Sequence, residues 1–194
     1  MNEYIPLRRM IKTVRPKMDD PHLIMDTSSW RYRFTDPPRS VIVTSGVTFQ
    51  LDKFVEIFPE TAIRDLSSIL DPRVEYPMVE PSDELLIICS NLNYKKINRR
   101  AKDTGWVDNE QISLAMNLAR DGEESLILSN DVSLLGTVRE LKKIPDLDFD
   151  KSLMSTISVR KHLEKKYHSI LMQFGEEKRS AMFESIEKQY FIAA

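Results

Sequence analysis

A short apolar run that stops at a polar turn constrains the fold of this chain more than any other stretch. Residues 125–128 read Ser-Leu-Ile-Leu, and Ser129, Asn130 and Asp131 follow before a second apolar segment begins. An apolar run of this length, bounded by turn-forming residues, is typical of a buried strand. The sequence therefore predicts a strand over residues 125–129 that delivers the Asp131 carboxylate at its tip.

Two further carboxylates stand in comparable places. Asp26 follows the apolar residues of 22–25, and Asp108 lies in the first turn of a segment with the apolar spacing of a helix. The ends of strands in an open parallel sheet lie along one edge, where such folds bind their ligands. We therefore expect Asp26, Asp108 and Asp131 to converge.

The order of the predicted elements favours an α/β fold. Strands are predicted near residues 22–26, 40–44, 85–89 and 125–129. Helices are predicted over 45–58, 60–70, 108–120 and 132–143. Strands that alternate with helices form a parallel sheet through right-handed crossovers. We expect a three-layer α/β/α architecture with a central, mostly parallel sheet.

Sequence character divides the chain into three predicted parts. Residues 1–20 form a basic N-terminal extension, 21–150 the α/β domain, and 151–194 a helical C-terminal tail. The extension is either a docked segment with a cationic face or a solvated one. Two apolar stripes in the tail are expected to pack on the domain's own core, and the alternative is a homodimer or a protein partner.

The charge distribution indicates that any RNA-binding site is a local cluster of basic residues. The net charge is −2, from 28 basic and 30 acidic residues, so the whole chain exerts no pull on nucleic acid. A basic cluster around Tyr94 is the best candidate patch, and its members are Lys95, Lys96, Arg99, Arg100 and Lys102. A solvated helix flank is an equally good interpretation of the same residues.

Cysteine content and apolar run lengths bear on the compartment. The single cysteine, Cys89, lies within an apolar run and is expected to be a small core residue rather than a nucleophile. No disulfide can form within the chain, which suits a reducing cytoplasm. No signal peptide is expected at residues 1–17, and no apolar run is long enough to cross a membrane.

Taken together, three motifs resemble those of the PIN-domain ribonucleases. They are Ile24-Met25-Asp26-Thr27-Ser28, the run from Val107 to Ala115, and Leu128-Ser129-Asn130-Asp131. The order and spacing match over roughly residues 20–145. Each acid taken alone also fits a structural role, because Asp108 and Asp131 stand where helix caps occur and Asp26 where a turn begins. The occurrence of all three acids in this order favours a functional site over three separate structural roles.

The resemblance implies a metal-dependent endoribonuclease. Asp26, Asp108 and Asp131 would bind Mg²⁺ or Mn²⁺, and water activated by the metal would cleave an RNA phosphodiester bond. Hard divalent ions of this kind prefer carboxylate oxygen. Thr27, Ser28 and Asn130 would orient water or the scissile phosphate.

One position departs from the family pattern. Where the family has a second acid followed by leucine, this chain has Gln50-Leu51. Glu110 is a candidate for partial replacement of that acid as a metal ligand, or it is a first-turn acid favoured by the helix dipole. The departure leaves an alternative function open, in which a catalytically impaired PIN-like domain acts as an RNA-binding or protein-interaction adaptor.

Overall fold

A central parallel sheet organises the fold. The computed structural model describes residues 3–17, 21–36, 40–53, 70, 73–100 and 105–192, with only the backbone described for 92–100. The strands are β1 (His22–Met25), β2 (Val41–Ile42), β3 (Ser125–Leu128) and β4 (Met154–Ile157). They lie in the order β2-β1-β3-β4, and every neighbouring pair is parallel.

Helices surround this sheet. In chain order the helices of the described residues are α1 (Leu7–Val14), α2 (Ser45–Asp52), α3 (Asp83–Arg100), α4 (Trp106–Arg120), α5 (Val132–Leu141), α6 (Val159–Lys166), α7 (His168–Leu171) and α8 (Glu176–Lys188). Short 3-10 turns at Thr27–Ser29 and Lys151–Leu153 follow β1 and precede β4.

Alternate residues of each strand enter two separate cores. Leu23 and Met25 of β1 face one core, whereas Ile24 between them faces the other. The first core receives side chains from α1 and the C-terminal helices, and the second from α3, α4 and α5. The predicted three-layer α/β/α architecture is therefore confirmed.

The two chain ends supply much of one layer. Leu7 and Met10 of α1 are buried in the same core as Leu163 and Phe183 from the C-terminal helices. A docked N-terminal segment is therefore correct, and the C-terminal stripes pack on the domain's own core as expected. The three predicted parts of the chain share one packed body.

A strand lies where only helices were predicted. β4 occupies residues 154–157 of the predicted tail and pairs with β3 along its whole length. Its sequence, Met-Ser-Thr-Ile, contains no apolar run, although Met154 and Ile157 are buried in the two different cores. The helical character of the tail begins only after this strand.

The predicted strand at residues 85–89 was wrong, because these residues lie in α3. Leu85 and Cys89, four positions apart, are wholly buried, whereas Ile87 is 61% exposed. That is helical spacing, and a run of five apolar residues does not distinguish a strand from a helix. Cys89 is a core residue, as predicted.

The other predicted elements are found close to their expected places. The helix predicted over 45–58 begins at Ser45 but ends earlier than predicted, at Asp52, and its cap is Thr44, whose hydroxyl oxygen accepts a hydrogen bond from the Val47 amide. The helix predicted over 60–70 falls almost wholly outside the described residues. Within the part of the chain that is described, no helix is both long and apolar enough to cross a membrane.

Candidate functional site

A pocket of about 360 Å³ opens at the carboxyl end of the sheet and collects the three predicted acids. Its lining residues are Asp26, Thr27, Ser28, Arg31, Gln50, Asp108, Asn130, Asp131 and Arg160. The loops after β1, β3 and β4 supply most of them, because the ends of parallel strands share one edge. Helices α2 and α4 add Gln50 and Asp108.

Asp26 is held in place by four hydrogen bonds. Its Oδ2 accepts from the Ser129 hydroxyl at 2.8 Å, from the Ser28 amide at 3.3 Å and from the Ser28 hydroxyl. Its Oδ1 accepts from Gln111 Nε2 at 3.3 Å. The side chain is 5% exposed, so these donors replace the water that the carboxylate loses on burial. The Asp26 carboxyl group is thus fixed in position in the pocket lining.

Asp131 combines a structural role with its place in the pocket. Its Oδ1 accepts from the backbone amides of Ser133 at 2.5 Å and Leu134 at 3.0 Å, which caps α5. The cap fixes the carboxyl group while the residue remains exposed at the pocket. The cap interpretation and the site interpretation are therefore compatible for this residue.

Asp108 carries the clearest electrostatic perturbation. Burial, followed by the negative charges of Asp26 and Asp131, raises the pKa of its carboxyl to about 7, against a lowering by a hydrogen bond with the Gly105 backbone. Carboxylates that crowd one another stay ionised more easily when a cation offsets their charge. The three acids therefore act on one another across the pocket.

Gln50 occupies the pocket from α2. Its Oε1 accepts a hydrogen bond from the Thr27 hydroxyl, which is itself buried beside Asp26. The carboxamide thus adds an oxygen ligand to the pocket without adding charge. Gln50 lies in the same pocket as the three acids, where the motif resemblance expects an acidic side chain.

Ser28 and Asn130 join the loops that hold the acids. The Asn130 amide donates to Ser28 Oγ at 3.0 Å, which links the loop after β3 to the loop after β1. The Asn130 side chain donates to the Tyr32 hydroxyl at 2.9 Å, and its oxygen accepts from the Ser158 hydroxyl at 3.0 Å and the Arg160 amide at 2.9 Å. These bonds give Asn130 a positioning role in addition to its place in the lining.

Glu110 lies outside the pocket lining. Its Oε2 accepts from the backbone amide of Gly46 at 2.9 Å, and only 8% of the residue is exposed. It therefore binds the N-terminal turn of α2 from the facing helix α4. It is not a solvated first-turn acid, because it is buried.

Sequence reasoning missed two cations at the pocket. Arg31 lies shortly after Asp26, and Arg160 follows β4, the strand that was not predicted. Arg31 contacts Glu187 at 3.5 Å and stacks over the Phe191 ring at 4.6 Å, so the C-terminal segment holds it. Without β4 the sequence carries no signal that Arg160 belongs to this edge.

The predicted basic cluster is only partly described. Lys95, Lys96, Arg99 and Arg100 fall on the helical backbone of α3, in the range whose side chains are not described, and Lys102 lies outside the described residues. Their role in binding RNA stays a prediction.

The donor set suits a hard divalent cation in its chemistry. Three carboxylates and one carboxamide oxygen line the pocket, and oxygen ligands are those that Mg²⁺ and Mn²⁺ prefer. Among the described residues, no three histidine, cysteine, aspartate or glutamate side chains stand close enough together to hold a metal ion. The three acids line one pocket, and the charges of Asp26 and Asp131 act on Asp108.

Comparisons with known proteins do not assign the chain. No protein-family model matches it, and no curated protein matches it either.

Proposed function

We propose that this chain is a metal-dependent endoribonuclease of PIN type that cleaves RNA phosphodiester bonds. The observation that carries the proposal is the convergence of Asp26, Asp108 and Asp131 on one pocket, with the pKa of Asp108 raised in part by the other two. Perturbed carboxyl groups in a concave site are typical of functional sites. The choice of RNA rests on the motif resemblance.

The residues of the pocket divide into two chemical groups. Asp26, Asp108 and Asp131, with the Gln50 oxygen, would hold Mg²⁺ or Mn²⁺. Such an ion, when bound, supplies charge neutralisation and activates water for attack on phosphorus.

Arg31 and Arg160 stand at the same pocket and suit the phosphate oxygens of a polynucleotide, because guanidinium groups bind phosphate through paired donors. Asp26 is fixed by its four donors, and a metal ion bound to its carboxylate would displace at least one of them. A reducing compartment such as the cytoplasm fits the single buried cysteine.

Cleavage of single-stranded and structured RNA tests the proposal. The protein would be incubated with each RNA in Mn²⁺, in Mg²⁺ and in EDTA, beside Asp26→Asn, Asp108→Asn and the matched control Asp146→Asn. Asp146 is an exposed acid outside the pocket. We expect metal-dependent cleavage by wild type and the control, and a loss of at least about 100-fold in the two pocket variants. Cleavage that survives Asp26→Asn would refute the assignment.

The glutamine at the second-acid position favours a second candidate. Compared with the acid of the family pattern, Gln50 gives the pocket one negative charge fewer. Its side-chain oxygen is already hydrogen-bonded to Thr27. On this alternative, the domain is an adaptor that binds RNA or protein without cleavage. Titration of Mn²⁺ into the protein separates the two, because the adaptor would show no Mn²⁺ binding that depends on Asp26 and Asp108.

A further inference from the structure

The two edges of the sheet differ in how they are covered. Along β2, the Val41 amide donates to the Glu75 carbonyl at 2.9 Å. Further along the same edge, the Val43 amide donates to the Pro77 carbonyl at 3.1 Å, so a stretch of chain closes this side. At the opposite edge, no main-chain segment among the described residues pairs with the outer side of β4. An edge strand with unpaired N–H and C=O groups is a template for a further strand.

Thr156 is the residue of β4 whose backbone opens to this outer side. In a strand of a parallel sheet, the N–H and C=O groups of successive residues point to opposite sides. The Ser129 amide donates to the Ile157 carbonyl at 3.0 Å, so Ile157 bonds toward β3 and Thr156 points away from it. The Met154 carbonyl points outward as well, and it accepts a hydrogen bond from Lys142 Nζ. Pairing with a new strand is therefore possible at Thr156.

A groove of about 280 Å³ lies over this edge, and we call it the β4 groove. Its polar lining consists of Arg139 and Lys142 from α5, Thr156 and Ser158 from β4 and its end, and Lys161 from α6. The helix α5 packs on one face of the sheet and α6 on the other. The groove therefore runs between the two helical layers, where an added strand would continue the sheet.

The charged side chains in the lining of the β4 groove are all cations. Arg139 and Lys161 are exposed, and no aspartate or glutamate within the described ranges lines the groove. Burial lowers the pKa of Lys142, and the charge of Arg15 lowers it further, against a rise caused by Asp150. A carboxylate in the groove would favour the charged form of Lys142. The charge of the groove thus suits an acidic ligand.

We propose that the β4 groove binds an acidic, extended segment of a partner protein, which pairs with Thr156 as an additional strand of the sheet. Addition of a strand to an open edge is a common way of binding a peptide. The side chains of such a strand alternate between its two faces. Acids on one face would meet Arg139 and Lys142, and acids on the other would meet Lys161.

The backbone of Thr156 favours a peptide over RNA as the occupant. Its N–H and C=O groups are complementary to a peptide main chain, whereas a nucleic acid backbone offers phosphates, which need donors only. A second copy of this chain paired through the same edge would bring like charges together, which disfavours a dimer. The inference goes beyond the proposed nuclease and does not depend on catalysis at the acidic pocket.

Peptide binding to the full chain in EDTA tests the groove apart from metal and cleavage. The probe is a fluorescent peptide with capped ends and the sequence Ser-Glu-Val-Asp-Glu-Val-Ser, which places acids on both faces of a strand. A control peptide carries Gln, Asn and Gln in place of the acids. Two further peptides carry backbone N-methyl groups, one at the second, fourth and sixth residues and the other at the third and fifth. Polarisation would be measured at low ionic strength, where screening is weak.

We expect the acidic peptide to bind with a Kd below about 1 mM, and the amide control at least about tenfold more weakly. One N-methylated peptide should lose at least about tenfold in affinity while the other stays within about threefold of the parent, because only one side of an added strand faces Thr156. Equal affinities of the parent and both methylated peptides overturn strand pairing, as does an equal loss in both. No binding of the acidic peptide below about 1 mM also overturns the proposal.

Substitutions in the groove give the matching test on the protein. Thr156→Pro removes the outward N–H and leaves the bonds to β3, so peptide affinity should fall at least about tenfold, whereas Thr156→Val should stay within about threefold of wild type. Lys161→Glu should weaken binding by about 3- to 30-fold. Lys165→Glu, at an exposed cation of the same helix outside the groove, should change it less than about twofold. Equal effects of the two lysine reversals would contradict the proposal.

Thermal melting of each variant checks its folding. If Thr156→Pro does not fold, the two N-methylated peptides with wild type decide whether the edge pairs with a strand.

RNA binding and sedimentation address two other occupants. If single-stranded oligouridylate loses affinity in Lys161→Glu but not in Lys165→Glu, and the acidic peptide does not bind, the groove is a site for RNA and the proposal fails. A wild-type dimer that Thr156→Pro dissociates would place a second copy at the edge, which also overturns it. Cleavage results with Asp26→Asn bear only on the nuclease, because neither Thr156 nor Lys161 lines the acidic pocket.

Discussion

Raising the pH should destabilise the metal-free protein, because Asp108 must lose its proton in a pocket that holds two other carboxylates. Its pKa is about 7 in the folded protein against an ordinary 3.8. Below about pH 4, Asp108 is protonated in both the folded and the unfolded protein, and the free energy of unfolding is not reduced by its ionisation. Between about pH 4 and pH 7 the unfolded chain ionises while the folded protein keeps its proton, so stability falls. Above about pH 7 no further change follows.

The size of this effect follows from the pKa difference. One pKa unit corresponds to about 1.4 kcal/mol, so a shift of roughly three units sets an upper bound of about 4 kcal/mol. Solvent reaches part of the Asp108 side chain, and we therefore expect about half of that bound. Asp108→Asn keeps the shape of the side chain and removes the ionisation, so the variant should be more stable than wild type at pH 8 and lose the difference near pH 4.

Urea denaturation in EDTA at pH 4, 5, 6, 7 and 8 measures the effect. Subtracting the wild-type free energy of unfolding from that of Asp108→Asn cancels the other titrating groups. A difference that does not change with pH would refute the reasoning. Adding Mn²⁺ at pH 8 should stabilise wild type by about 2.7 kcal/mol at one hundred times the dissociation constant, and the variant by less.

Three further substitutions test the pocket and its supports. Gln50→Glu should tighten Mn²⁺ binding and raise the rate of RNA cleavage, because it adds a charged ligand; no gain in either would show that Gln50 is not at a metal position. Gly46→Ala should lower the free energy of unfolding by about 1–3 kcal/mol through the clash with the Glu110 carboxylate, Trp106 and Val107, measured by urea denaturation, and a loss under about 0.5 kcal/mol would contradict it. Tyr32→Phe removes the hydroxyl that donates to Glu187 at 2.5 Å and accepts from Asn130 at 2.9 Å, so a similar loss of about 1–3 kcal/mol is expected, and an unchanged urea midpoint would argue against it.

The convergence of the acids was predictable because it depends on strand ends. The sequence shows where β1 and β3 stop, and a parallel sheet places those ends together, so Asp26 and Asp131 follow directly. Asp108 was found from helical spacing in α4. This reasoning needs only local pattern and one rule of topology.

The missed features depend on partners far away in the chain. Gln111 is wholly buried and donates to Asp26, 85 residues earlier. Glu110 likewise binds Gly46, 64 residues earlier. Arg160 belongs to the pocket only because β4 joins the sheet. Local spacing carries no information on such pairings, since tertiary packing decides them.

The helical layer built from both chain ends has a consequence for synthesis. Tyr190 donates a hydrogen bond to Glu3 across a separation of 187 residues, and the Glu3 amide donates to the Gln189 carbonyl at 3.0 Å. A nascent chain synthesised as far as residue 150 already contains Asp26, Asp108 and Asp131. It does not yet contain β4 or the C-terminal helices that cover Leu23 and Leu126. Contacts between such distant residues form late in folding. On a translating ribosome, the nuclease proposed here would therefore stay incomplete until the last helix has emerged, and its apolar sheet face would until then be a surface for chaperones.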